Sequence, residues 1–246
     1  MILWWIVAFS LLGSVGAIGG AGVVLVAPES VRTRLLPYLL SYATGTLLGA
    51  AFLGMIPSAL LQATPTAVSA TILAGVVMFF VLEKLVVWRH CHDEDCAAHG
   101  GAAPVILLGD AFHNLLDGVA IAAAFLTSVP LGVAASLAVV AHEIPQEVGD
   151  FAILLNSGYS RGRAFVYNLL SSATALPGAL FGYVYLDAAR RLTPFILSVS
   201  AASFVYVAMA DLVPHLHRQV GLRSAAAQSA LILAGIATIA AIRAVL

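Results

Sequence analysis

Apolar residues fill stretches of twenty or more positions along the whole chain, separated by short polar breaks. Such runs suit helices crossing a bilayer core of roughly 30 Å, which takes about 20 residues. They lack the period-2 alternation of a transmembrane β-barrel strand. The pattern predicts eight spans: 2–27, 35–62, 67–87, 104–127, 130–156, 164–186, 192–212 and 223–245. Pro104 and Pro130 open the fourth and fifth spans, where a missing N–H costs little. The first span carries an interfacial pair, Trp4-Trp5, and no Lys or Arg precedes it as in a secretory signal. The expected fold is an all-α polytopic membrane protein, one transmembrane domain over residues 1–246 with a single polar insertion at 88–103.

Two of these spans break the apolar rule. The fourth holds Gly109-Asp110-Ala111-Phe112-His113-Asn114-Leu115-Leu116-Asp117-Gly118, and the fifth holds His142-Glu143-Ile144-Pro145-Gln146-Glu147-Val148-Gly149-Asp150. A central Asp costs on the order of 2.5–3.5 kcal/mol on insertion scales, so intramembrane ionisable residues signal function. Residues at i and i+4 share a helix face. His113 and Asp117 therefore project together, with Asn114 beside them and Asp110 one turn away. His142 and Gln146 project together, with Glu143 and Glu147 as the adjacent stripe. At ~1.5 Å per residue both histidines lie near mid-depth, about 14 Å and about 18 Å into their spans. If the two spans are antiparallel neighbours, the polar faces meet. Pro145 leaves the Ala141 carbonyl without its helical partner, which suits a cavity wall.

Composition narrows the chemistry. Apolar residues make up 61% and charged residues 9%, and the net charge of −1 offers no basic stripe for nucleic acid. No Lys or Arg occurs within the fourth or fifth span to neutralise Asp110, Asp117, Glu143, Glu147 and Asp150. A cation has to do so, either metal or proton. Two imidazoles with carboxylates suit Zn²⁺, and the added oxygen donors extend the range to Fe²⁺, Mn²⁺ or Cd²⁺.

The distribution of basic residues sets an orientation. Arg32, Arg34, Lys84, Arg89, Arg161, Arg163, Arg218 and Arg223 lie on one side, against Arg190, Arg191 and Arg243 on the other. The positive-inside rule puts the first side in the cytoplasm and both termini outside, in a plasma (inner) membrane protein. The 88–103 loop is then cytoplasmic. Its His90-Cys91-His92-Asp93-Glu94-Asp95-Cys96-Ala97-Ala98-His99 reads as a metal-binding tract, and a reducing cytosol argues against a Cys91–Cys96 disulfide.

An internal echo links the second and seventh spans. Ser41 to Pro57 and Ser198 to Pro214 are both sixteen residues apart, with small residues in the first turn. Spans one to three would repeat as six to eight, around a central pair, in a 3+2+3 inverted-repeat arrangement typical of transporters. Gly13, Gly16, Gly19, Gly20 and Gly22, then Gly45-x-x-x-Gly49, predict close helix packing.

The two polar motifs resemble the ZIP (Zrt/Irt-like) metal transporters, particularly the LIV-1 branch. The resemblance covers Gly-Asp-x-x-His-Asn-x-x-Asp-Gly, His-Glu-x-Pro-x-Glu-x-Gly-Asp-Phe-Ala, the eight-span layout and the His-bearing loop. It implies passage of Zn²⁺ or a similar ion into the cytoplasm through a binuclear site. One metal would use His113, Asp117, His142 and Gln146; the other would use Asn114, Asp117, Glu143 and Gln146, with Asp117 bridging. The branch usually has His where this chain has Gln146, and an amide is a poorer Zn²⁺ ligand. Met55 stands where a relative places a residue lining the site, and Glu147 extends the span-five stripe. Asp211 and His215 are read as an entrance or exit site. Ser203, Tyr206 and Asn168 are read as polar groups that line the pathway or tie helices together. The partners expected are divalent ions and the lipid bilayer, with a second copy of the chain as the one protein partner considered. The metal would be cargo, and no catalytic cofactor is expected. Two competing functions use similar ligands, an intramembrane zinc metalloprotease and a cation exporter. The protease needs a second His where Gln146 stands.

Overall fold

The computed structural model describes residues 1–88, 102–218 and 221–245. Eight long helices cross it: α1 (Ile2–Val26), α2 (Glu29–Leu60), α3 (Pro65–Trp88), α4 (Ala102–Thr127), α5 (Val129–Asn156), α6 (Arg161–Leu186), α7 (Arg190–Leu216) and α8 (Leu222–Val245). No strand occurs among the described residues. Seven of the eight are long and apolar enough to cross a membrane. The exception, α5, has 28 residues but carries Glu143, Glu147 and Asp150. It packs among α1, α2 and α4, with Glu143 and Glu147 buried and Asp150 lining a cavity. The segment 89–101, which contains most of the expected His- and Cys-bearing loop, lies outside the described residues.

Local chemistry sets the helix ends. The Ser128 hydroxyl caps α5 by accepting from the Leu131 N–H at 3.3 Å, and the Ser160 hydroxyl caps α6 through the Arg163 N–H at 3.4 Å. Gly158 turns the chain between them at φ +85°. Helix α2 begins at Glu29, earlier than the apolar pattern predicts. Pro28 is extended and Glu29 places a negative charge in the first turn. Inside the spans, hydroxyls are satisfied by carbonyls one turn back, as with Thr44 to Leu40 (2.7 Å) and Ser136 to Gly132 (2.7 Å).

The repeat appears in the packing. Helix α2 lies against α8, α7 against α3, α1 against α5 and α6 against α4. Each pairing maps onto another when helices 1–3 exchange with 6–8 and 4 with 5. Equivalent positions share local structure as well. Ser41 bonds the Pro37 carbonyl at 2.6 Å, and Ser198 bonds the Pro194 carbonyl at 2.7 Å. Both helices then widen into a π-helical turn, Ala50–Met55 and Val207–Leu212, just before Pro57 and Pro214. Such turns break the helical ladder locally and often mark functional positions.

Glycines weld particular pairs. A methyl at Gly45 would lie 2.1 Å from the Ile232 carbonyl oxygen, and one at Gly235 would lie 2.5 Å from that of Tyr42. In α1 the expectation holds at Gly13 and Gly20, which face Val139 and Ile144, but Gly19 and Gly22 have nothing within 4 Å.

Candidate metal centre

Helices α4 and α5 pack side by side and bring their polar faces together. His113, Asp117, His142 and Glu143 each aim one donor atom at a common point, all four within 4.8 Å of one another. The two Nε2 atoms are 3.1 Å apart. His142 Nε2 lies 3.2 Å from Asp117 Oδ2 and 3.4 Å from Glu143 Oε1. His113 Nε2 lies 3.8 Å and 3.6 Å from the same two oxygens. Four donors about 2.0–2.1 Å from a tetrahedral Zn²⁺ are about 3.3–3.4 Å from each other. The observed separations bracket that edge length.

Hydrogen bonding points the same way. His142 Nδ1 donates to the Ala138 carbonyl at 2.8 Å, so a neutral imidazole presents Nε2 as a lone pair. That lone pair meets Asp117 Oδ2 and Glu143 Oε1, neither of which receives a hydrogen bond. His142, Asp117 and Glu143 are at most 1% exposed, and His113 is 16% exposed. Buried acceptors converging on one another repel and are costly to desolvate unless a proton or a metal cation sits among them.

The amides are placed differently from the expected binuclear arrangement. Asn114 Nδ2 and Gln146 Nε2 both donate to Asp110 Oδ1, at 3.0 and 2.9 Å. Asp110 thereby ties α4 to α5 one turn from the four-donor group. The expected site residues did not include it, although its i+4 relation to Asn114 is visible in the sequence. Glu147 is fully buried and groups with Asp110 and Glu143. Met55 is fully buried in the π-helical turn of α2, within the main apolar core. Asp211 and His215 are about half exposed near the end of α7, their side chains 3.7 Å apart.

Access is one-sided. A cavity of about 760 Å³ reaches Asp110, His113 and Gln146 and is walled further by Asp150, Tyr206, Asp211, Glu83 and Phe79. These residues belong to the first half of α4 and the later parts of α3, α5 and α7, so the cavity opens on that face. The Tyr206 hydroxyl donates to the Glu83 carboxylate at its wall. Toward the opposite face, a smaller cavity of about 180 Å³ reaches Gln62, Thr127 and Arg190, and the described residues between it and the metal centre are buried. Ile121, Phe125, Leu131, Ala135 and Ala138 are at most 1% exposed, and the Phe125 ring lies 5.5 Å from Phe9 and 6.3 Å from Trp5.

A family model described as ZIP zinc transporter matches residues 89–243, well over half of the chain. The chain belongs to the ZIP zinc-transporter family. Zinc transporter ZIP10 of Homo sapiens is 40% identical over 129 residues, 51% of this chain and 16% of that protein. Zinc transporter ZIP4 of Mus musculus is 46% identical over 110 residues, 45% of this chain and 16% of its own length. Zinc transporter foi of Drosophila melanogaster is 38% identical over 120 residues, covering 48% and 17%. These are LIV-1 branch members, in line with the motif resemblance. The matched segments span about a sixth of those relatives' length. Within this ZIP chain, the matched region contains every one of the four converging donors and all of α4 to α7.

Proposed function

We propose that the chain carries Zn²⁺, and related divalent ions such as Cd²⁺, Fe²⁺ or Mn²⁺, across the membrane into the cytoplasm through the α4–α5 site. The observation that carries this reading is the convergence of His113, Asp117, His142 and Glu143, one donor atom each within 4.8 Å of the others, with His113 facing a cavity. The cavity opens on the face that holds eight of the eleven Lys and Arg residues, the cytoplasmic face by the positive-inside rule. Both termini then face outside, the membrane is the plasma (inner) membrane, and the 88–103 loop is cytoplasmic and accepts or senses arriving ion. The geometry is that of an inward-open state, and transport requires its exchange with an outward-open one. The equivalent packing of the two outer triplets is the inverted-repeat arrangement that such exchange uses in transporters.

A metalloprotease of this kind needs a second imidazole one turn after His142, where the chain has Gln146, which speaks for a carrier. Gln146 fits that reading too, because its amide is engaged with Asp110. The outward faces of α3 and α8, with Leu73, Val77 and Leu233, meet lipid or a second copy of the chain.

Reconstitution into proteoliposomes with a zinc-sensing dye inside tests the proposal. Saturable zinc entry, unaffected by protease inhibitors, is expected. Vesicles no more permeable than protein-free ones contradict it, and flux in the outward direction alone makes the chain an exporter.

A further inference from the structure

We propose that Phe204 of α7 is a positioning residue for His142 that sets the ion preference of the metal centre. Its ring holds the imidazole in place and keeps water from the His142 side, which favours Zn²⁺ over ions that retain six ligands, such as Mn²⁺. The proposal rests on the transport reading above and adds to it a residue that acts on the choice of cargo.

The ring centroids of Phe204 and His142 are 6.1 Å apart with the planes inclined at 62°, an edge-to-face contact. Each residue is 1% exposed. Both nitrogens of His142 are engaged, Nδ1 with the Ala138 carbonyl at 2.8 Å and Nε2 with the converging donors. The phenyl ring therefore supports the imidazole without taking a nitrogen from the ion.

The surroundings make that ring hard to replace. Helix α7 packs on α3, on the π-helical turn of α2 and on α4, while His142 stands on α5. Ala201 and Ala208, about one turn to either side of Phe204, are 0% exposed. So are Ala50 and Ala51 of the α2 turn, and Ala138 one turn before His142. Phe204 supplies the bulk that this alanine-rich layer lacks, and alanine methyls cannot swing into the space its removal would leave. A hole that touches a ligand group has a polar wall, so it takes up water where a purely apolar one stays dry.

The two sides of the centre differ in this respect. His113 is 16% exposed and lines the large cavity, so solvent reaches the ion from there. Neither His142 nor Phe204 lines that cavity. Zn²⁺ is satisfied by four ligands, whereas Mn²⁺ favours an octahedral, oxygen-rich shell. Closing one side to solvent therefore costs Mn²⁺ more than Zn²⁺, because the apolar shell around a site controls its water.

The test is competitive equilibrium binding of Zn²⁺ and Mn²⁺ to the full chain in detergent, with the visible spectrum of the Co²⁺-loaded protein as a second readout. Four-coordinate Co²⁺ absorbs strongly and six-coordinate Co²⁺ weakly, and wild type is expected to show the strong band. Phe204→Ala is expected to lower the preference for Zn²⁺ over Mn²⁺ by roughly 10-fold and to weaken the band. Phe204→Leu, which restores most of the bulk, recovers both. The preference is a ratio, so misfolded material lowers both ions alike, and Phe204→Val carries the test should Phe204→Ala not fold. A preference within about twofold of wild type, with an unchanged band, in the Ala or Val variant overturns the proposal and leaves the metal centre standing. Wild type that binds neither Zn²⁺ nor Co²⁺ removes the metal centre and the proposal with it.

Discussion

Replacing Asp117 by alanine is expected to abolish metal uptake. Asp117 Oδ2 is within 3.2 Å of one imidazole and 3.8 Å of the other, and it lacks any hydrogen-bond donor. The substitution removes one of four donors and the negative charge that offsets a divalent cation. Loss of a supporting outer partner alone costs about 10–100-fold in metal affinity, so loss of a direct ligand should exceed about 100-fold. Uptake at sub-saturating zinc should fall to the level of empty vesicles while the thermal melt of the purified protein stays near wild type. The melt separates loss of a metal ligand from loss of the fold. Full flux in the variant would take Asp117 off the pathway.

The second large effect is on stability. Helices α4 and α6 approach so closely that a methyl at Gly118 would lie 1.9 Å from the Ala175 carbonyl oxygen, and one at Gly178 would lie 2.1 Å from that of Leu115. The contacts are backbone, which cannot swing aside as a side chain can. Gly118→Ala must push the helices apart and should cost about 3 kcal/mol or more, the upper end of overpacking. The midpoint of thermal unfolding should drop by roughly 5–10 °C for a chain of this size. Gly149→Ala serves as the comparison, since nothing lies within 4 Å of the added methyl. An unchanged midpoint in Gly118→Ala would mean that α4 and α6 are not welded here. The same interface orients the metal centre, because Thr174 of α6 donates to the Ala111 carbonyl of α4 at 2.5 Å.

Most of the fold is legible in the sequence because lipid imposes a simple rule. A chain that satisfies its backbone in hydrocarbon must be helical, and about twenty apolar residues fix each span. The fifth span is the least apolar, because Glu143, Glu147 and Asp150 crowd its second half, and its apolar first half after Pro130 is what marks it in the sequence. Helical periodicity likewise puts His113 and Asp117 on one face.

Other features are set by tertiary packing and leave no local trace. Which of two adjacent stripes on α5 faces α4 depends on rotation of that helix about its axis. Packing of Ile144 onto Gly20 of α1 is one contact that sets this rotation. The structure turns Glu143 toward the imidazoles and places the Gln146 amide on Asp110. The π-helical turns of α2 and α7 are equally silent in the sequence, although the proline that follows each of these two marks where the helix ladder is already weakened. The pairing of Asn114 with Asp110 could have been found from their i, i+4 spacing, since an amide beside a buried carboxylate is a natural donor.

On the proposed path a divalent ion sits among His113, Asp117, His142 and Glu143 on its way across the membrane. Anomalous scattering at the zinc edge, from crystals of the zinc-loaded protein, tests it most directly. The expected result is a peak enclosed by the two Nε2 atoms, Asp117 Oδ2 and Glu143 Oε1, about 2.0–2.2 Å from each. Zinc found at other residues, with this cluster holding none at saturating concentration, would contradict it.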